Sequence, residues 1–307
     1  MKFFAFRAMV KSPATALRSN TSNSMPILTA LRLYPIKSCG GIVLREATLT
    51  AAGLMSQYIY DREWMVVDKH GNFLTQREAP RMALIMPRIR GDALELRAPG
   101  MLPLRIPLDL PDPDDGPGLT VTIWNDRIKA YDCDAVTAAW FSNAVGVACR
   151  LVRFHPEARR IADTAWTGGI EAPTLFSDGF PVLVISEASL EDLNGKLLAQ
   201  NRAALPMDRF RPNMVIGGIG AFEEDYAAAL KIGNAILKPV KPCPRCVIPS
   251  INQATGQPGP DPLDILQGYR ANQRVNGSIT FGMNAIVLAG DGEVLRVGQE
   301  VEPELGF

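Results

Sequence analysis

The stretch Leu237–Gly256, LKPVKPCPRCVIPSINQATG, carries two cysteines, Cys243 and Cys246, separated by Pro244 and Arg245. Three chemistries compete for this pair. A closed zinc site takes four Cys or His ligands. Beyond the cysteines the chain has only His70 and His155, and no second C-x-x-C, so zinc within one chain is disfavoured. A thioredoxin-like pair draws its reactivity from a helix that the first cysteine opens. Here Val247 and Ile248 favour a strand, Pro249 opposes a helix, and no β-α-β pattern surrounds the motif. A lone thiolate for a soft or high-valent metal is the third reading, with the other ligands supplied by an organic cofactor and with Lys241 and Arg245 close in sequence to hold the charge. Two ordinary buried cysteines fit the spacing equally well, and the stretch alone does not choose.

Working outward, 307 residues bound the chain to one large domain or two of ordinary size. Lys plus Arg and Asp plus Glu both number 32, so no broad basic surface exists for nucleic acid or an anionic membrane, although a local basic pocket remains open. The five cysteines, at 39, 133, 149, 243 and 246, are too few and scattered for a secreted disulfide framework; a cytoplasmic location is expected. No apolar run reaches the length of a membrane span, so no integral membrane segment is expected. Residues 1–24 hold four cations and no acid, a composition that also suits a transit peptide. We read them as a disordered tail ahead of a start at Met25, because a strand pattern begins just after it.

Short alternating runs dominate. ILTALRLYPIKS reads as a strand broken at Pro35, and EWMVVDKHGNFLTQ as a hairpin turning at Lys69–Asn72. LIMPRIRGDALELRAP reads as a second hairpin turning at Gly91–Asp92. LPDPDDGPG, residues 110–118, is a surface loop. Asp134 caps a helix to about Val145 that presents Val136, Ala139, Trp140 and Val145 to the core, and Ser186 caps another with Leu190, Leu193 and Leu197 inward. From Phe210 the reading is mostly strand, CVIPSIN included. The expected class is mainly β with some α (α+β), as two barrel-like domains, 25–150 and 151–307.

Two stretches carry a resemblance. One holds YPIKSC (34–39) and D-R-x-W (61–64); the other holds FRPN (210–213), C-x-R-C (243–246) and FGMN (281–284). Each motif is weak alone; in combination they resemble the MOSC-domain molybdenum proteins of the amidoxime-reducing type, from about Ile27 to Val301. The resemblance implies an N-terminal β-barrel-like domain, a C-terminal MOSC domain, and one molybdenum cofactor between them. It places the metal's single protein ligand, and the catalytic centre, at Cys246, with Cys243 not a ligand. It assigns cofactor binding to Lys37, Ser38, Arg62, Arg211, Asn213, Arg245 and, more loosely, Asn284. The implied reaction is reduction of an N-hydroxylated small molecule by oxygen-atom removal, with electrons from a separate donor protein, because the chain ends at Phe307 without an iron–sulfur domain. A cofactor carrier or sulfuration protein is the alternative. Pyridoxal phosphate is attached to some family members, but no lysine here stands in a Schiff-base context. Pro244 replaces a Ser of several relatives, and Ser177–Phe180 lacks a Thr–Ser pair of the animal proteins.

Overall fold

The computed structural model describes residues 25–109 and 118–306. The expected tail, 1–24, and nearly all of the expected loop at 110–118 lie outside the described residues.

Four sheets build the described residues. The largest runs Ile42–Leu44, Ile27–Leu33, Met214–Gly217, Val182–Ser186, Ser278–Ala289, Ala235–Pro244, Ala227–Ile232 and Glu302–Leu305, with Ala271–Asn272 joined to one end of Ser278–Ala289. Its pairings are antiparallel except one: Val182–Ser186 lies parallel to Met214–Gly217, and the helix Glu187–Ala199 makes the crossover. A second sheet joins Leu119–Ile123, Asp126–Asp132, Arg150–Phe154 and Trp64–Val67. A third joins Val294–Arg296, Glu46–Thr50, Gly53–Ser56 and Ile59–Tyr60, and a fourth is the meander Met86–Arg90, Ala93–Arg97, Leu104–Pro107.

The two halves exchange strands. Ile27–Leu33, at the N-terminal end, sits inside the large sheet beside Met214–Gly217. Val294–Arg296, near the C-terminal end, pairs with Glu46–Thr50 of the first half. An apolar cluster shared by both halves follows, in which Leu31, Trp64 and Leu49 join Val184, Met214 and Leu237.

Local chemistry explains the elements. Gly91–Asp92 turns its hairpin as read, pairing Arg90 with Ala93. Asp134 accepts from the Thr137 amide at 2.7 Å and Ser186 from the Ser189 amide at 3.1 Å, so both expected caps form. Three readings need correction. The buried stripe of helix Ala135–Val145 runs through Thr137, Trp140, Phe141, Ala144 and Val145, while Val136 and Ala139 face solvent. CVIPSIN is not a strand: Ile248–Ser250 forms one 3-10 turn, where Pro249 is tolerated because the first turn of a helix has no need of its N–H. One β-α-β unit does exist, remote in sequence from the cysteine pair.

Candidate functional site

The strand Ile27–Leu33 stops at Tyr34–Pro35, and the chain runs on beside the DREW segment. The Lys37 amide donates to the Trp64 carbonyl at 2.8 Å, Trp64 to Pro35 at 3.0 Å and Arg62 to Tyr34 at 2.7 Å. Two motifs that begin 27 residues apart, at Tyr34 and Asp61, are thus zipped into one shelf. Asn213 ties the second half to it: its Oδ1 accepts from the Leu183 amide at 3.1 Å and from Arg62 Nη1 at 3.2 Å, and its Nδ2 donates to the Arg32 carbonyl at 3.3 Å.

Three shelf residues, Ser38, Arg62 and Arg211, have φ of 65°, 53° and 55°. Left-handed backbone is uncommon outside glycine and costs on the order of 1–3 kcal/mol per residue, so the surrounding structure holds it in place. The result aims three polar side chains into one cleft of about 620 Å³, within the range of small-molecule sites. All eight residues singled out from the sequence line it: Lys37, Ser38, Arg62, Arg211, Asn213, Arg245, Cys246 and Asn284.

The electrostatics are lopsided. Eight Lys and Arg residues line the cleft against three aspartates, in a chain whose net charge is zero. Lys37 is buried, donates to the Phe176 carbonyl at 3.0 Å and pairs with the exposed Asp178. Burial pulls its pKa down, and the Asp178 carboxylate opposes that pull. The guanidiniums of Arg62 and Arg211 lie 4.4 and 4.3 Å from the centre of the Tyr34 ring. Burial works against the charge on Arg62, but the adjoining Asp61 carboxylate prevails and its pKa is raised; Arg62 pairs with the buried Asp61, while Glu63 goes to Arg153 at 2.6 Å. Arg211 has no such carboxylate and burial lowers its pKa; its Nη2 is buried without a partner.

The cysteine loop is built differently. Strand Ala235–Pro244 ends at the pair, and Cys246 precedes the 3-10 turn, half-buried, unbridged and facing the cleft. Arg245 Nη1 donates to Cys243 Sγ at 3.0 Å, so the expected cation serves Cys243, and Nη2 donates to the Phe210 carbonyl. Lys241 stands over the Trp166 ring at 4.9 Å. Asn284 enters from Ser278–Ala289, where it pairs with Leu183 and with Lys241. Sequence reasoning missed Asp178, Tyr34 and Arg209. Tyr34 and Asp178 lay inside the quoted motifs and were passed over because a phenol and an exposed acid carry no ligand signature; Arg209 stands two residues before Arg211 and had no signal.

The arrangement offers a soft half-exposed sulfur facing a wall of buried cations, suited to a ligand with a metal at one end and an anion at the other. The chain matches the MOSC N-terminal beta barrel domain over residues 25–148 and the MOSC domain over residues 171–302. Mitochondrial amidoxime-reducing component 1 of Mus musculus is 35% identical over 279 residues, 88% of this chain and 80% of that protein. Mitochondrial amidoxime reducing component 2 of Homo sapiens is 36% identical over 249 residues, 78% and 71%. Molybdenum cofactor sulfurase of Oryza sativa subsp. japonica is 32% identical over 303 residues, 90% of this chain and 35% of that protein. These names correct two expectations. The cytoplasmic location is overturned by relatives called mitochondrial: scattered cysteines argue against a disulfide framework but do not distinguish one reducing compartment from another. Pyridoxal phosphate finds no support in them.

Proposed function

The chain belongs to the family that joins a MOSC N-terminal β-barrel domain to a MOSC domain, and on that premise we propose that it is a molybdenum-dependent reductase of N-hydroxylated compounds. Its cofactor is the molybdenum cofactor. The observation that carries the reading is the convergence of a free, half-buried Cys246 with buried Lys37 and Arg211 and half-buried Arg62 on one cleft. The residues fit such a group. The unpartnered Arg245 Nε is a donor awaiting an acceptor, and a thiolate would complete a soft ligand set for the metal.

Cys246 is the protein ligand to the metal in this reading. Lys37, Ser38, Arg62 and Arg211 would hold the phosphate, Lys37 giving up its pair with the exposed Asp178 to do so. Asn213 has its amide engaged on both sides and acts as the brace that orients Arg62. Arg245 holds Cys243 back from the metal, and Asn284 closes the cleft from the long strand. When bound, the cofactor supplies removal of the oxygen from an N–OH group, so that two electrons and two protons convert it to N–H and water. The protein contributes the thiolate, the fixed cations and a cleft that excludes bulk water from the charged end. We assign the electrons to a separate donor protein.

The experiment is elemental analysis for molybdenum on protein made in a cofactor-competent host, followed by turnover of benzamidoxime with a chemical reductant. Molybdenum near one per chain with steady turnover is expected. The match to a cofactor sulfurase favours a second reading, a carrier or sulfuration protein. Molybdenum binding without turnover would select it, and absence of molybdenum would overturn both.

A further inference from the structure

A second cavity of about 580 Å³ shares only Arg211 with the cleft. Its walls close because Gly40 and Gly41 carry no side chain. A Cβ on Gly41 would stand 2.6 Å from a Tyr34 ring carbon, and one on Gly40 would stand 2.4 Å from Met86 Sδ. The lining is mostly apolar, and Val43 and Met86 bring exposed apolar surface to it, 68% and 45%. Against this stand three arginines, Arg32, Arg97 and Arg211, and one acid, Asp208.

The polar groups here are unusually idle. Tyr34 Oη, Arg211 Nη2, Arg32 Nε and Asp208 Oδ1 are all buried without a hydrogen-bond partner, and all four residues line this cavity. Tyr34 is 2% exposed and Arg211 9%. Among the described residues the Arg32 guanidinium makes no ion pair, whereas Arg97 pairs with Glu95 at 2.9 Å. Buried donors left unsatisfied cost free energy. Three of the four, Tyr34 Oη, Arg211 Nη2 and Arg32 Nε, are donors, and their clustering against an apolar wall describes the complement of an amphipathic anion; Asp208 Oδ1 is an acceptor and lies outside that complement.

We propose that this cavity binds a small carboxylic acid with an apolar tail, its carboxylate received by Arg32, Arg211 and the Tyr34 hydroxyl and its tail laid along Leu84, Met86 and Val43. The site shares Arg211 with the cofactor cleft, but Arg32 and Tyr34 belong to this cavity and not to the cleft, so the proposal stands if the cofactor reading fails. The apolar walls favour a carboxylate with a tail over bare phosphate, which would leave them wet.

The test is calorimetric titration of the purified full chain with octanoate, acetate and inorganic phosphate in separate runs. Octanoate binds one per chain, with acetate weaker by more than about 10-fold because its tail is missing. Arg32→Ala weakens octanoate by about 10-fold, the loss of one charge-assisted contact. Val43→Asp, at an exposed position that tolerates the change, weakens it too. Lys37→Ala, in the cofactor cleft, leaves octanoate binding unchanged. The proposal is overturned if octanoate does not bind, if its binding survives Arg32→Ala and Val43→Asp but is lost in Lys37→Ala, or if phosphate and acetate bind as tightly as octanoate.

Discussion

The two sides of the cleft are made by opposite means. The cation shelf is mostly buried, with Arg62 and Arg211 stacked on Tyr34 and left-handed backbone at three positions. The cysteine loop is half-exposed, carries no such backbone at Cys243–Cys246, and ends in a single 3-10 turn. The difference follows from what each side has to hold. Desolvated cations repel one another and resist burial, so they keep their places only when backbone geometry fixes them in advance. In the proposed function, one thiolate would need a single bond and an open flank through which a substrate can approach. Rigidity is therefore concentrated where charge is, and access where chemistry is.

The comparison can be broken most sharply at the sulfurs. Cys246→Ala is expected to lower molybdenum content and benzamidoxime turnover by more than about 100-fold, beyond the roughly 10- to 100-fold that follows loss of a supporting group; elemental analysis and initial rates measure both. Cys243→Ser in the same assays should change either by less than about 3-fold, well under the roughly 10-fold floor for a supporting group. Equal losses in the two variants would put Cys243 among the ligands. On the shelf, Lys37→Met is expected to weaken cofactor retention by about 10- to 100-fold, the range of a hydrogen bond to a charged group. It should do so without lowering the melting temperature, because a desolvated ammonium is removed while Asp178 stays hydrated. Ser38→Gly should be more stable than Ser38→Ala by about 1 kcal/mol in chemical denaturation, since only glycine relaxes at positive φ. The same pair of substitutions at Cys243, where φ is not positive, should show no such advantage for glycine. The smallest effect is chemical: at mildly alkaline pH iodoacetamide should label Cys243 and Cys246 and spare Cys39, whose thiol burial pushes up to about 12. Peptide mass spectrometry reads the pattern.

Much of the local structure was legible because it is written in short-range chemistry. Asp134 and Ser186 cap helices with oxygens that any sequence reader can see, and Gly91–Asp92 turns a hairpin for the same reason. The cleft's residue set was legible only through the resemblance, since Lys37 or Arg211 alone reads as an ordinary surface charge. What stayed hidden depends on long-range pairing. Nothing in ILTALRL says that its partner lies near residue 214, and nothing in VLR says that it returns to Glu46–Thr50. Asn213 was read as a contact to the cofactor, and its Oδ1 and one of its two Nδ2 hydrogens are engaged within the protein, a fact fixed by Leu183 and Arg32 from distant segments. The segment after Cys246 misled because Val and Ile propensity was overruled by a turn that the Ser250 amide closes on the Val247 carbonyl.

The strand exchange has a practical consequence for anyone who dissects this molecule. A cut near residue 150 would strip Met214–Gly217 of a neighbour on one flank and leave Glu46–Thr50 short of its own. Each fragment would then display raw backbone along a line meant to be covered, an invitation to clump with copies of itself. The two family segments are pages of a single binding, and expressing either one alone should yield insoluble material, whereas co-expressing both should restore a soluble pair.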